Sequence, residues 1–141
     1  MIYIVDGPNN VGKTSYINKV VKRQTGYDEV DHITKNATFE AFSDLLNRDN
    51  IILDRGPISE LVYSKIYGRQ SNLTEEECKQ LLDSKKIYCE IMLSVLDIIK
   101  EHYKSKGETN SDEYNDDFIL KELELFSDYA NKFNCNITWV V

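Results

Sequence analysis

The stretch Met1-Ile-Tyr-Ile-Val-Asp-Gly7-Pro-Asn-Asn-Val-Gly12-Lys13-Thr14 decides the fold of this 141-residue chain. A short apolar run leads into Gly-x-x-x-x-Gly-Lys-Thr, and the residues after it repeat apolar side chains at helical spacing. A strand, a glycine-containing loop and a helix in that order are the context in which phosphate-binding loops occur. The stretch therefore predicts a site for a nucleoside triphosphate.

Each fixed position of this loop has a chemical role. Gly7 and Gly12 allow backbone N–H groups to turn toward phosphate oxygens, and the positive end of the helix dipole faces the same anion. Lys13 is expected to reach the β- and γ-phosphates of ATP, and the Thr14 hydroxyl to bind Mg²⁺. The predicted ATP-binding residues of the loop are Gly7, Asn10, Val11, Gly12, Lys13, Thr14 and Ser15. The alternative is a turn between strand and helix that binds no ligand.

Length and composition indicate one globular domain spanning residues 1–141. Hydrophobic residues make up 41% and charged residues 29%, as is ordinary for soluble proteins. No apolar run approaches the roughly 18 residues of a membrane span, and the N-terminal run is too short for a signal peptide. Cys78, Cys89 and Cys135 are widely spaced and odd in number. We therefore expect reduced thiols in a cytoplasmic protein, and neither a metal site nor a disulfide framework.

The formal net charge of −7 bears on the class of partner. An acidic chain repels the nucleic-acid backbone unless its cations are gathered on one face. We therefore expect small-molecule nucleotides as partners and consider nucleic acid unlikely.

The hydrophobic pattern predicts strands that alternate with helices. After the first strand, further strands are predicted at residues 27–33, 51–53, 87–93 and 137–141, although Glu90 is an awkward residue for a buried strand. Phe39, Phe42, Leu45 and Leu46 form one apolar helical face, which we interpret as core, and Trp139 is most simply a packing residue. This order is typical of a three-layer P-loop NTPase fold, an α/β fold with a five-stranded parallel sheet flanked by helices.

A second motif, Asp54-Arg55, follows the buried run Ile51-Ile52-Leu53. Ligand sites of parallel sheets lie at the carboxyl ends of strands, where both Asp6-Gly7 and Asp54-Arg55 are found. There Asp54 can order Mg²⁺ or accept a proton from the attacking oxygen, and Arg55 can bind an acceptor phosphate through two hydrogen bonds. The alternative is a solvent-facing ion pair at the end of a strand.

With these motifs the chain resembles the thymidylate kinase-like nucleoside monophosphate kinases. Gly7 to Thr14 matches their phosphate loop, and Leu53-Asp54-Arg55-Gly-Pro-Ile-Ser59-Glu-Leu-Val-Tyr63 resembles their Asp-Arg-x-x-x-Ser signature, especially that of compact phage-encoded members. His102-Tyr-Lys104-Ser-Lys106-Gly107-Glu108 is similar to the segment that begins their lid. The resemblance covers nearly the whole chain, with the first two motifs the specific ones.

On the donor side, the resemblance implies that Lys13 stabilises the transferred phosphoryl group and that Thr14 and Asp54 hold Mg²⁺. It also implies a lid segment, residues 104–117, that closes onto ATP with the cations His102, Lys104 and Lys106. These replace arginines, which loosens phosphate geometry. The alternative for the two lysines is a solvated helix end. Asn10 stands where some members place a catalytic arginine, and the helix that usually follows the last strand is missing.

On the acceptor side, the resemblance implies that Arg55 holds the monophosphate. Asn9 falls where the family has a carboxylate that binds the sugar 3′-hydroxyl, a bond that an amide oxygen can still accept. Ser59, Tyr63 and Arg69 are the further candidate contacts, with core packing as the alternative for Tyr63. The resemblance also leaves a homodimer possible, and a phage-encoded member would act in the host cytoplasm.

Three functions are consistent with the sequence. The first is an ATP-dependent deoxynucleoside monophosphate kinase, with dTMP the default acceptor by resemblance. The second is a kinase for a deoxynucleoside or for a modified base in DNA. The third is a nucleotide-binding regulatory protein without catalysis.

Overall fold

The computed structural model describes residues 1–33, 37–45 and 47–141 of the chain. Leu46, which we predicted on an apolar helical face, lies outside the described residues. The strands are β1 Ile2–Asp6, β2 Glu29–Asp31, β3 Ile51–Asp54, β4 Ile87–Ser94 and β5 Asn136–Val140. The helices are α1 Lys13–Tyr16, α2 Lys22–Thr25, α3 Phe39–Leu45, α4 Pro57–Tyr67, α5 Glu75–Leu82, α6 Leu96–Ser105 and α7 Asp116–Lys132, with a π-helical segment, Ile17–Val21, between α1 and α2.

The five strands form one parallel sheet in the order β2-β3-β1-β4-β5, which confirms the predicted fold class. β1 lies at the centre, and every one of its residues is buried, as expected of a parallel strand covered on both faces. Val5 is in register with Asp54 of β3. The carboxyl ends of β1 and β3 therefore lie side by side, as the two motifs predicted.

Alternate residues of β1 enter two different cores, one on each face of the sheet. Ile2 and Ile4 pack with residues of α4, α5 and α7, whereas Tyr3 and Val5 pack with residues of the π-helical segment and of α6. Phe42 belongs to the first core, which confirms its predicted packing role. The phosphate loop therefore follows a central strand that is buried on both faces.

Local sequence signals define several helix ends. Thr74 and Glu77 form a capping box, in which the Thr74 hydroxyl accepts from the Glu77 N–H at 3.0 Å and the Glu77 side chain accepts from the Thr74 N–H at 3.0 Å. Pro57 occupies the first turn of α4. Gly26 ends α2 in the left-handed conformation.

Two side chains differ from the predicted pattern. Trp139 is 62% exposed, so its predicted packing role is wrong; β5 is an edge strand with a neighbour on one side. Glu90 is buried inside β4, where its Oε1 accepts the Tyr3 hydroxyl at 2.8 Å. The hydrogen bond from Tyr3 explains how a buried strand can accommodate the carboxyl group of Glu90.

The segment between α6 and α7 runs through successive turns. Glu108 N donates to Tyr103 O at 2.9 Å, and Ser111 N donates to Glu108 O at 3.2 Å. In the described part of the chain, no helix is both long enough and apolar enough to cross a membrane.

Candidate nucleotide-binding site

The backbone of the phosphate loop passes close to β4, and this requires glycine at position 7. Gly7 has a φ of 147°, and a Cβ placed there would lie 2.5 Å from the Met92 carbonyl oxygen. Gly12 has a φ of 110° and is the residue before α1. A side chain would be strained at either position, which is the physical reason for the spacing of the motif.

Lys13 folds back across the loop. Its Nζ donates to Gly7 O at 2.9 Å and to Pro8 O at 2.7 Å, and the side chain is buried. Burial, and then the nearby Arg55 guanidinium, lower the pKa of Lys13 to about 7. Both causes disfavour the charged form of Lys13. A phosphate bound in the loop would have the opposite effect, because a nearby negative charge favours the ammonium.

The ends of β1 and β3 place two oxygen groups side by side. Thr14 Oγ1 lies 3.5 Å from Asp54 Oδ2, and Asp54 is largely buried. A hydroxyl and a carboxylate are donors that suit Mg²⁺, which commonly takes one or two protein ligands and completes its shell with phosphate oxygens and water. Within the described residues, no three His, Cys, Asp or Glu side chains form a metal cluster. The residues present therefore fit a phosphate-bound Mg²⁺.

His32 lies at the same edge of the sheet, although the sequence indicated no role for it. It follows β2, the neighbour of β3, and its Nδ1 lies 3.8 Å from Asp54 Oδ2. His32 reaches Asp54 because β2 and β3 are neighbours in the sheet.

The Asp6 carboxylate connects the phosphate loop to the start of α4, which follows Asp54-Arg55. It is fully buried and accepts hydrogen bonds from Gly7 N at 2.9 Å, from Ser59 N at 3.0 Å and from the Ser59 hydroxyl. Burial raises the pKa of Asp6, and the Ser59 hydrogen bond, Arg55 and Lys13 oppose that rise. The Ser59 side chain, predicted as an acceptor contact, is directed to this carboxyl group and connects α4 to the phosphate loop.

Arg55 lies between the loop and α4. Its guanidinium donates to Asn9 Oδ1 and, at 3.4 Å, to the Ser59 hydroxyl, and it stacks over the Tyr63 ring at 5.4 Å. The other end of the Asn9 amide donates to Glu113 of the lid segment. The acceptor-side candidates Asn9, Arg55 and Tyr63 are therefore brought together.

Two other predicted cations are directed elsewhere. Arg69 forms hydrogen bonds of 2.7 and 2.8 Å with Glu60, because this nearly buried carboxylate at the start of α4 requires a partner. Lys104 is exposed on α6 and pairs with Glu101 at 3.4 Å. The contact of Lys104 with ATP stays a prediction, and its alternative is a cation at a solvated helix end.

A cavity of about 1060 Å³ joins the loop, the two strand ends and the lid segment. Its volume lies just above the range of roughly 300–1,000 Å³ that is typical of small-molecule sites. Among the predicted residues, those that line it are Asn9, Asn10, Gly12, Lys13, Thr14, Ser15, Asp54, Arg55, His102 and Lys106. His102 Nδ1 lies 2.6 Å from Asn10 O. Those outside its lining are Gly7, Val11, Ser59, Tyr63, Arg69 and Lys104.

Glu122 of α7 was missed by the sequence analysis. It is fully buried, and its Oε2 accepts Asn9 N–H at 3.1 Å and the Tyr63 hydroxyl at 2.6 Å. Burial raises the pKa of Glu122 to about 7, against the two hydrogen bonds. A signal was present, because Glu122 falls between Ile119 and Phe126 on the apolar stripe of α7.

Comparisons with known proteins agree with this architecture. No protein-family model matches the chain. A curated relative is the SPbeta prophage-derived uncharacterized protein YorR of Bacillus subtilis (strain 168), 27% identical over 128 residues, which covers 85% of this chain and 78% of YorR. The crystal structure of YorR in complex with phosphorylated GDP superimposes with a TM-score of 0.80 and 24% identity, and covers 99% of this chain and 85% of YorR.

Two structures of deoxyadenosine kinase from M. mycoides are also similar. The structure with bound dCTP has a TM-score of 0.58 and 15% identity, and covers 99% of this chain and 89% of the kinase. The structure with dCMP and dCDP has a TM-score of 0.57 and 12% identity, and covers 100% of this chain and 90% of the kinase. The chain has a P-loop nucleoside kinase-like fold. This P-loop kinase-like fold was predicted from the two motifs, whereas the thymidylate acceptor remains a prediction.

Proposed function

We propose that this protein is an ATP-dependent deoxynucleoside monophosphate kinase that phosphorylates dTMP or a related deoxynucleoside monophosphate. One observation carries the proposal: Lys13 and Thr14 of the loop border the same cavity as Asp54 and Arg55 of the neighbouring strand. ATP phosphates in the loop and an acceptor phosphate at Arg55 would then meet beside Asp54. An acceptor phosphate oxygen attacks the γ-phosphorus, the bond between that phosphorus and the β–γ bridging oxygen breaks, and ADP leaves.

On the donor side, the loop N–H groups and Lys13 bind the phosphates. Lys13 exchanges its hydrogen bonds to Gly7 O and Pro8 O for bonds to phosphate oxygens, whose negative charge favours its protonated form. Thr14 and Asp54 would hold Mg²⁺, which neutralises negative charge on the β- and γ-phosphates. Lys106 is the lysine of the lid segment that borders the cavity and can reach the same phosphates.

On the acceptor side, catalysis is mainly a matter of position. Arg55 can offer its planar guanidinium to the acceptor phosphate, and Asn9 and Tyr63 hold that guanidinium from two directions. Orienting two bound nucleotides removes much of the entropic barrier to their reaction. The nucleotides bound by YorR and by deoxyadenosine kinase support a nucleotide as the ligand of this cavity.

The proposal is tested by ADP formation from ATP and Mg²⁺ with a panel of deoxynucleoside monophosphates. We expect ADP formation to depend on at least one monophosphate and to be lost in Lys13→Met, whereas Lys22→Met, which removes a lysine of the same continuous helix that does not border the cavity, is the control. ADP formation at background level with every monophosphate would reject the proposed function.

A deoxynucleoside kinase is the second candidate, and one observation favours it. Of the two arginines predicted to contact the acceptor, Arg69 is bound to Glu60, and only Arg55 borders the cavity. An acceptor without a phosphate needs fewer cations. Arg55→Ala separates the two functions: it should abolish activity on a monophosphate and affect activity on a deoxynucleoside mildly, with Arg23→Ala, an exposed arginine, as the control.

A further inference from the structure

Besides its hydrogen bond to the Ser59 hydroxyl, the Arg55 guanidinium contacts two residues that lead to α7. Asn9 accepts a hydrogen bond from the guanidinium through Oδ1, and the Tyr63 ring lies beneath the guanidinium at 5.4 Å. Arg55 has a positive φ of 73°, so the backbone turns away from the direction of β3 at this residue. Its side chain is long and has many rotamers, so contacts with its neighbours are needed to hold it in one orientation.

Both of these residues are held by one oxygen of Glu122. Oε2 accepts the backbone N–H of Asn9 at 3.1 Å and the hydroxyl of Tyr63 at 2.6 Å. The other oxygen, Oε1, is buried and has no hydrogen-bond partner among the described residues. A fully enclosed carboxyl group is expensive to bury, and buried groups of this kind cluster at functional sites.

The lid segment holds Asn9 from a second side. Glu113 accepts from the Asn9 side-chain amide, and Glu122 follows nine residues later in α7. Asn9 is therefore held by two carboxyl groups from one continuous stretch of chain, while its amide oxygen holds Arg55.

We propose that Glu122 is a positioning residue for the acceptor, which fixes the Arg55 guanidinium through Asn9 and Tyr63. The proposal rests on the proposed role of Arg55 in binding the acceptor phosphate. The lid segment and α7 thereby determine where the acceptor phosphate lies, although Glu122 itself is outside the cavity.

The chain contains a matched control for this proposal. Glu90 is also buried, its Oε1 also accepts a tyrosine hydroxyl, that of Tyr3 at 2.8 Å, and its Oε2 also has no partner among the described residues. Glu90 packs beside Tyr3 in the core on the other face of the sheet from Tyr63. If Glu122 were only a buried polar residue, the same substitution at the two positions would have the same effect on the site.

The first test is made on the protein without nucleotide. The order of the Arg55 Nε–Hε group is measured by NMR relaxation in wild type, Glu122→Leu, Glu122→Gln and Glu90→Leu. We expect the order to fall in Glu122→Leu, to be partly restored in Glu122→Gln, which keeps one acceptor oxygen, and to be unchanged in Glu90→Leu. Wild-type order of Arg55 in folded Glu122→Leu and Glu122→Gln would overturn the proposal; if the leucine variant does not fold, Glu122→Gln decides.

The second test uses dTMP as the probe in steady-state kinetics. We expect Glu122→Leu to raise the KM for dTMP by about tenfold, as for the loss of hydrogen bonds to a charged group, and to leave the KM for ATP nearly unchanged. Equal increases in both KM values would contradict a role on the acceptor side. If wild type phosphorylates no monophosphate, the proposed function fails, whereas the NMR result still decides whether Glu122 positions Arg55.

Discussion

Thr14 Oγ1 lies 3.5 Å from Asp54 Oδ2, although the two residues are 40 positions apart in the chain. This contact joins the phosphate loop to the second motif. It exists because β1 and β3 are adjacent parallel strands whose carboxyl ends meet at the same edge of the sheet. The contact makes Asp54 the first residue to test.

Asp54→Asn should lower kcat by about 100-fold or more, since the amide can neither bind Mg²⁺ as a carboxylate nor accept a proton. ADP formation over a range of Mg²⁺ concentrations measures the effect. Asp44→Asn is the control, because Asp44 is exposed on α3. A kcat within threefold of wild type would show that Asp54 has no part in the chemistry.

Gly7→Ala should destabilise the protein by about 3 kcal/mol and weaken ATP binding, because strain at positive φ adds to a close contact with the Met92 carbonyl. Gly26→Ala is the matched control: Gly26 also has a positive φ, but a Cβ there meets no atom within 4 Å. We expect it to cost about 1 kcal/mol. Urea unfolding measures both values, and equal losses would contradict the close approach at Gly7.

Lys106 and Lys104 form a matched pair on the donor side. Lys106 borders the cavity, whereas Lys104 pairs with Glu101 on the exposed face of α6. We expect Lys106→Ala to raise the KM for ATP roughly fivefold, as for a lost charged hydrogen bond, and Lys104→Ala to leave it unchanged. Steady-state kinetics with ATP as the varied substrate checks this, and a larger effect from Lys104 would reverse the assignment.

The buried carboxyl group of Glu122 predicts a pH dependence of stability. Burial raises its pKa from the ordinary 4.5 to about 7, in surroundings that include Tyr63, Glu113 and Lys13. Between these values the folded protein binds more protons than the unfolded chain, so the contribution of Glu122 is complete below pH 4.5 and is lost as the pH rises through 7.

Glu122→Gln removes this dependence. The free energy of unfolding of wild type relative to Glu122→Gln should therefore fall by on the order of 3 kcal/mol between pH 4.5 and pH 7.5. Urea unfolding at both pH values measures it, and Glu124→Gln, an exposed position on the same helix, is the control. A difference that is independent of pH would mean that Glu122 is already ionised in the folded protein at pH 4.5.

Signals that lie within a few consecutive residues were sufficient to predict much of the architecture. The spacing of Gly7 and Gly12 and the buried run before Asp54 each depend on neighbours in the chain, and the structure has both as predicted. Strands alternating with helices then led to the five-stranded parallel sheet.

Contacts between distant segments were decided only by the tertiary structure. Arg69 is bound to Glu60, and Trp139 is exposed on the edge strand, because partners and exposure depend on which elements become neighbours. His32 reaches Asp54 for the same reason. The order of strands in a sheet is not written in the periodicity of any one strand.

The amino-acid sequence by itself determined the loop, the two strand ends and the class of fold, since each is encoded by backbone requirements of adjacent residues. The tertiary structure alone decided that α7 brings Glu122 beneath Asn9 and Tyr63, and that the lid segment brings Glu113 to the same amide. A buried carboxyl group becomes part of a site only when folding removes it from water and supplies its donors.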